Sequence, residues 1–154
     1  MNLADKVILL TGASGGIGSA LAQALAREGA HLLLQGRQPA KLERLRSELP
    51  NPERHHTIVA DLGSAREREQ LARASELAGG IDILINNAGS NVFAWLEDQN
   101  AGQIEEQLAI NIAAPILLTR SLLSHLRKPG LIMNIGSSFG GIGYPGYSVY
   151  CASK

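Results

Sequence analysis

A chain of 154 residues is long enough to bury a sizeable core and short enough for one domain, expected to run over 1–154. Its composition, 45% hydrophobic but only 4% aromatic, suits an aliphatic, alanine-rich α/β protein. Fourteen basic and fourteen acidic side chains cancel, which argues against nucleic-acid and anionic-membrane partners, and the single cysteine, Cys151, excludes an internal disulfide framework.

The first residues, Met1–Lys6, carry no basic run, and the apolar stretch after them is too short for a signal peptide or a membrane span; a cytoplasmic protein is expected. That stretch, Val7–Leu10, is the first of five short apolar runs, followed by Leu32–Leu34, Thr57–Ala60, Ile81–Ile85 and Leu131–Ile135. Continuous rather than alternating, they predict strands buried on both faces. Helical spacing fills the gaps: Ile17 to Arg27; Leu42, Leu45 and Leu49; Leu71, Ala74 and Ala78; then Ile104, Leu108 and Ile112, continuing to about His125. Strand then helix, repeated, predicts parallel βαβ units in a doubly wound sheet. Gly29, Pro39 and a capping box of Ser64 with Glu67 mark helix boundaries, and Pro115, inside the fourth helical pattern, predicts a kink.

Between the first strand and the first helix lies Thr11-Gly12-Ala13-Ser14-Gly15-Gly16-Ile17-Gly18. A strand, a bare turn and a helix start in that order make a phosphate cradle, because first-turn N–H groups lack intrahelical partners and the positive end of the dipole faces the turn. Gly12 serves the turn, Gly16 the approach of a pyrophosphate, and Gly18 the close packing of helix and strand. A flexible loop is the alternative for glycines alone; their place at the first strand–helix junction favours a nucleotide site. No Lys-Ser or Lys-Thr follows, which argues against a kinase-type loop.

Arg37 stands 19 residues past Gly18, close to the ~20 at which a dinucleotide site reads the adenosine ribose. No carboxylate occupies Gln35, Gly36 or Gln38, and a guanidinium fork suits a 2′-phosphate, so NADP(H) is expected over NAD(H). Asp61, at the end of the third strand, either accepts from an adenine amino group or caps the next helix. Asn86-Asn87-Ala88-Gly89 ends the fourth strand with little bulk, leaving room for a ligand or making a plain turn. Tyr150 and Lys154, four apart, share one face of a helix. A phenol titrates near about 10 and works at neutral pH only beside a cation, which Lys154 supplies. A hydroxyl of Ser137 or Ser138 comes from the end of the fifth strand. His31, His55, His56 and His125 are scattered and read as surface or structural; no metal is expected.

Together TGASGGIG at Thr11–Gly18, NNAG at Asn86–Gly89, Asn111 in the fourth helical pattern, Ser137, and YCASK at Tyr150–Lys154 resemble the N-terminal portion of a short-chain dehydrogenase/reductase. The resemblance selects Ser137, thirteen residues before Tyr150, over Ser138. It implies Tyr150 as proton donor and acceptor, Lys154 lowering its pKa and binding the nicotinamide ribose, Ser137 orienting the substrate oxygen, and Asn111 supporting a proton-relay water. Coenzyme contacts are then expected from Gly12, Ser14, Gly16, Ile17, Gly18, Arg37, Asp61, Leu62, Asn87, Ala88 and Gly89, besides Tyr150 and Lys154. The implied reaction is hydride transfer between nicotinamide and a small carbonyl or secondary alcohol, in a homodimer or homotetramer. Phe93, Trp95, Tyr144 and Tyr147 hint at an apolar or aromatic carbonyl. Members of that family continue past the Tyr-x-x-x-Lys motif, so a sheet of order 3-2-1-4-5 is expected with the C-terminal strands absent and the fifth strand an exposed edge. The reading from another class is a catalytically inactive NADP-binding fragment, or an oligomeric module.

Overall fold

Five parallel strands organise the computed structural model, which describes residues 2–154. They are β1 (Val7–Leu10), β2 (His31–Gly36), β3 (His56–Val59), β4 (Ile81–Asn86) and β5 (Leu126–Asn134), in the order β3-β2-β1-β4-β5. Register runs Leu9 against Leu33 on one side and Leu84 on the other, so β1 is central. Successive β1 side chains face opposite ways. Ile8 and Leu10 join Leu32, Leu34, Ile83 and Ile85 under α1 (Gly16–Arg27) and α2 (Pro39–Glu48). Leu9, Leu33 and Leu84 pack on the other face with Leu71 of α3 (Ala65–Leu77) and Leu118 and Leu122 of α5 (Ala114–Leu122). Two apolar layers on one sheet explain why the central runs lack polar alternation.

The edges depart from that pattern. β5 begins at Leu126, five residues before the expected Leu131, and its Leu131 and Met133 are exposed rather than buried on both faces. Leu126-Arg127-Lys128-Pro129-Gly130 is too polar to read as a core strand, yet an edge has one side in water and tolerates both lysine and proline. At the other edge Val59 of β3 is likewise exposed.

The fourth helical pattern is three pieces: α4 (Ala101–Leu108), a wide π turn at Ala109–Ala113, and α5. The kink expected at Pro115 is thus replaced by a π turn just before it. The Ala114 N–H reaches back to the Ala109 carbonyl, and Pro115 falls in the first turn of α5, where its missing N–H is harmless. The Ser64 capping box is half formed. Ser64 Oγ accepts the Glu67 N–H at 3.3 Å, but the Glu67 carboxylate turns to the Asp61 N–H at 2.6 Å. The last element, α6 (Ser148–Ser153), carries Tyr150 and ends at Lys154. No described helix is long and apolar enough to cross a membrane.

Candidate active site

The glycine turn crosses the carboxyl end of β1 and is clamped from both sides. Thr11 is buried; its Oγ1 donates to the Ile85 carbonyl at 3.2 Å and accepts the Asn87 and Ala88 N–H groups, each at 3.0 Å. Asn87 Nδ2 donates to the Thr11 and Gly12 carbonyls, at 2.9 and 3.1 Å, so this amide braces the turn. From β2 comes a brace that the sequence did not reveal. Gln35, 2% exposed, accepts the Gly12 N–H through Oε1 at 3.0 Å and donates from Nε2 to the Ala60 carbonyl at 2.7 Å.

Gly12 has φ +62°, and a Cβ there would lie 2.8 Å from the Ala88 Cα. A Cβ on Gly18 would lie 2.2 Å from the Gly12 carbonyl oxygen, so its small size lets the helix close onto the turn itself. At Gly16 nothing lies within 4 Å of a Cβ position. Gly15 caps α1 without a side-chain hydrogen bond. The first-turn N–H groups therefore face open space, as an anionic diphosphate requires.

That space is a groove of about 590 Å³ along the carboxyl ends of the strands. All thirteen expected coenzyme-contact residues line it, from Gly12 and Ser14 through Arg37, Asp61 and Leu62 to Tyr150 and Lys154. Asn91, which opens the Asn91–Leu96 stretch expected beside the substrate, lines it too, as do Gln35, Lys41, Ser90, Ile110 and Gly136, which were not expected there. At one end Leu62 and Ile110 supply apolar wall, and Arg37 is exposed with Nη1 3.6 Å from Glu106 Oε1. Asp61 does not cap α3, which Ser64 caps; its Oδ1 accepts the Gly63 N–H at 2.9 Å, correcting the capping reading.

At the other end stand Tyr150 and Lys154, both half-buried. The Lys154 ammonium lies 6.0 Å from the centroid of the Tyr150 ring and donates to the Ile135 carbonyl at 3.3 Å. Burial pulls its pKa below the usual lysine value. Asn111 and Ser137 lie outside the groove lining. Asn111, buried in the π turn, donates from Nδ2 to the Ser90 carbonyl and to Ser153 Oγ, each at 2.8 Å, and accepts the Ser90 N–H at 2.8 Å. Ser153 in turn donates to the Tyr150 carbonyl at 2.9 Å, so Asn111 ties α6 to the loop after β4. Ser137 Oγ accepts the Phe139 N–H at 3.2 Å, which leaves its own hydrogen to donate elsewhere. Phe139 stacks on Tyr144 with centroids 5.0 Å apart and meets Tyr150 edge-on at 6.2 Å. Cys151 is half-buried, and His55 is a structural histidine, its Nδ1 accepting the Leu32 N–H at 3.2 Å.

A family model described as short chain dehydrogenase matches residues 6–154. Nodulation protein G of Rhizobium meliloti is 38% identical, aligned over 99% of this chain and 62% of its own length. Dehydrogenase/reductase SDR family member 4 of Homo sapiens is 35% identical over 99% of this chain and 56% of its own length. Among solved structures, a short-chain dehydrogenase from Streptomyces avermitilis superposes with a TM-score of 0.90 at 30% identity, over 100% of this chain and 57% of that one. A dehydrogenase/reductase from Sinorhizobium meliloti gives a TM-score of 0.90 at 39% identity, over 99% and 62%. The chain thus spans 62% or less of the length of each of these relatives.

Proposed function

The chain belongs to the short-chain dehydrogenase family, and from that premise we propose that it forms the coenzyme-binding part of an NADP(H)-dependent oxidoreductase acting on a carbonyl or secondary alcohol. The observation that carries this reading is the Lys154 ammonium beside the Tyr150 ring, in the same groove as the open face of Gly16.

The residues fit a nicotinamide coenzyme: uncapped N–H groups of α1 for the diphosphate, Arg37 and Lys41 for a 2′-phosphate, Leu62 and Ile110 for an adenine, and Lys154 for a ribose hydroxyl. When bound, that group supplies or accepts the hydride. Tyr150 gives a proton to the carbonyl oxygen, or takes one from the alcohol, and the Lys154 charge stabilises the phenolate between those acts. Ser137 keeps a hydrogen to donate to the same oxygen and so orients it. Asn111 has both amide hydrogens engaged, so it supports a relay water as an acceptor, through Oδ1 or its backbone carbonyl. The rings of Phe139, Tyr144 and Tyr147 favour an apolar or aromatic substrate. The exposed Leu108, Ile112 and Ile116 suit the face of a homodimer or homotetramer, and one cysteine with no disulfide suits the cytoplasm.

Tyr150→Phe tests it. In the full-length protein NADPH binding is retained, while turnover on a panel of aryl and alkyl ketones falls by about 10²–10⁴-fold. Unchanged turnover would overturn the assignment.

A further inference from the structure

Arg37 already has a partner. Its guanidinium faces the Glu106 carboxylate of α4 at 3.6 Å, with both side chains more than half exposed. The two arginines of α2 pair within their own helix, Arg44 with Glu48 and Arg46 with Glu43. This pair instead joins the end of β2 to a helix across the groove. Ile110, which lines the groove, is one helical turn past Glu106 and so on the same side. The ion pair therefore stands beside the groove at its Arg37 end, on the side of Ile110, where the adenosine half of a coenzyme would enter.

The geometry points to Glu106 as a specificity-determining residue of the coenzyme site. Its carboxylate holds the guanidinium that a 2′-phosphate needs. Binding of NADP(H) breaks the pair and sets the carboxylate near a phosphate dianion, whereas NAD(H), which lacks that phosphate, leaves the pair intact. Glu106 thus weakens NADP(H) selectively and narrows the preference that Arg37 creates. The inference rests on the proposed role of Arg37, and one experiment separates the two.

Dissociation constants of NADPH and NADH are measured by fluorescence titration on the full-length protein, with thermal melts as a check on folding. Glu106→Gln is expected to tighten NADPH by about two- to five-fold and to leave NADH unchanged, the range for an exposed ion pair. The gain vanishes in an Arg37→Ala background and shrinks at high salt. Glu105→Gln, an equal charge change at the exposed neighbouring position, alters neither coenzyme. If Arg37→Ala weakens NADPH but Glu106→Gln changes nothing, the inference is overturned while the reading of Arg37 stands. An effect of Glu106→Gln on both coenzymes, or an equal one from Glu105→Gln, also overturns it, as general repulsion. An NADPH-to-NADH ratio unmoved by Arg37→Ala sinks the reading of Arg37 and the inference with it.

Discussion

Lys154 carries its charge into a half-buried position with the Ile135 carbonyl, 3.3 Å away, to receive it. Burial holds its pKa below the ordinary 10.5, so the unfolded chain keeps this proton more tightly than the folded one does. The charged form therefore weakens the fold at neutral pH, and the penalty fades as pH rises through the folded value towards 10.5. Lys154→Met keeps the apolar stem and removes the charge. It is expected to raise Tm at pH 7 by no more than about 2–4 °C, since water screens a half-exposed ammonium, while turnover collapses. A lowered Tm in a calorimetric scan contradicts this account. Tyr150 and Lys154 were legible in the sequence because a four-residue spacing on a helix is a local fact. Gln35 was not, because its partners Gly12 and Ala60 meet it only across the sheet and a glutamine at a strand end reads as surface. Asp61 stayed open for the same reason: its choice between cap and groove depended on Ser64 taking the cap.

The turn between β1 and α1 separates two uses of glycine that sequence spacing treats alike. At Gly18 an added methyl would meet backbone, the Gly12 oxygen at 2.2 Å and the Ala13 Cα at 2.9 Å, so the helix must shift. Gly18→Ala is expected to destabilise by about 1–3 kcal/mol, as overpacking does, and to weaken NADPH binding through the displaced turn. Gly16→Ala has no neighbour within 4 Å; it leaves Tm unchanged and weakens NADPH alone, because the methyl stands where the diphosphate must approach. Parallel melts and titrations of the two variants check the contrast, and a shared drop in Tm would refute it. Other elements were unevenly legible. The central strands announced themselves because both their faces are apolar, whereas the first half of β5, an edge carrying Arg127, Lys128 and Pro129, offers no apolar run to read. Nor has a π turn any sequence period of its own; Pro115 signalled an interruption without saying that it would fall at Ala109–Ala113.

Across the whole sheet, two buried titratable groups tie strands together at the end opposite the groove, and each fixes a pH range in which the fold weakens. His55 sits under β2, Nδ1 accepting the Leu32 N–H at 3.2 Å and Nε2 meeting the Pro50 carbonyl at 2.9 Å. Burial lowers its pKa below 6.5, so acid protonates the unfolded chain first, and stability falls as pH drops below 6.5. Asp82 accepts the Val7 N–H at 2.9 Å, Lys6 at 3.0 Å and Arg127 at 3.1 Å, joining β1, β4 and β5. Burial pushes its pKa up, but those three donors together outweigh burial and hold it below 3.8, so its contribution is present above 3.8 and lost below it. Melting curves of the wild type are therefore expected to show two successive declines as pH falls, one beginning near 6.5 and one near 3.8. His55→Leu leaves the Leu32 N–H without its partner and costs about 1–3 kcal/mol at pH 7, yet flattens the first decline. Asp82→Asn flattens the second and leaves the first in place. Circular-dichroism melts across the range read both effects. A His55→Leu protein whose Tm still falls between about pH 7 and 5 as steeply as the wild type would place that titration elsewhere in the molecule.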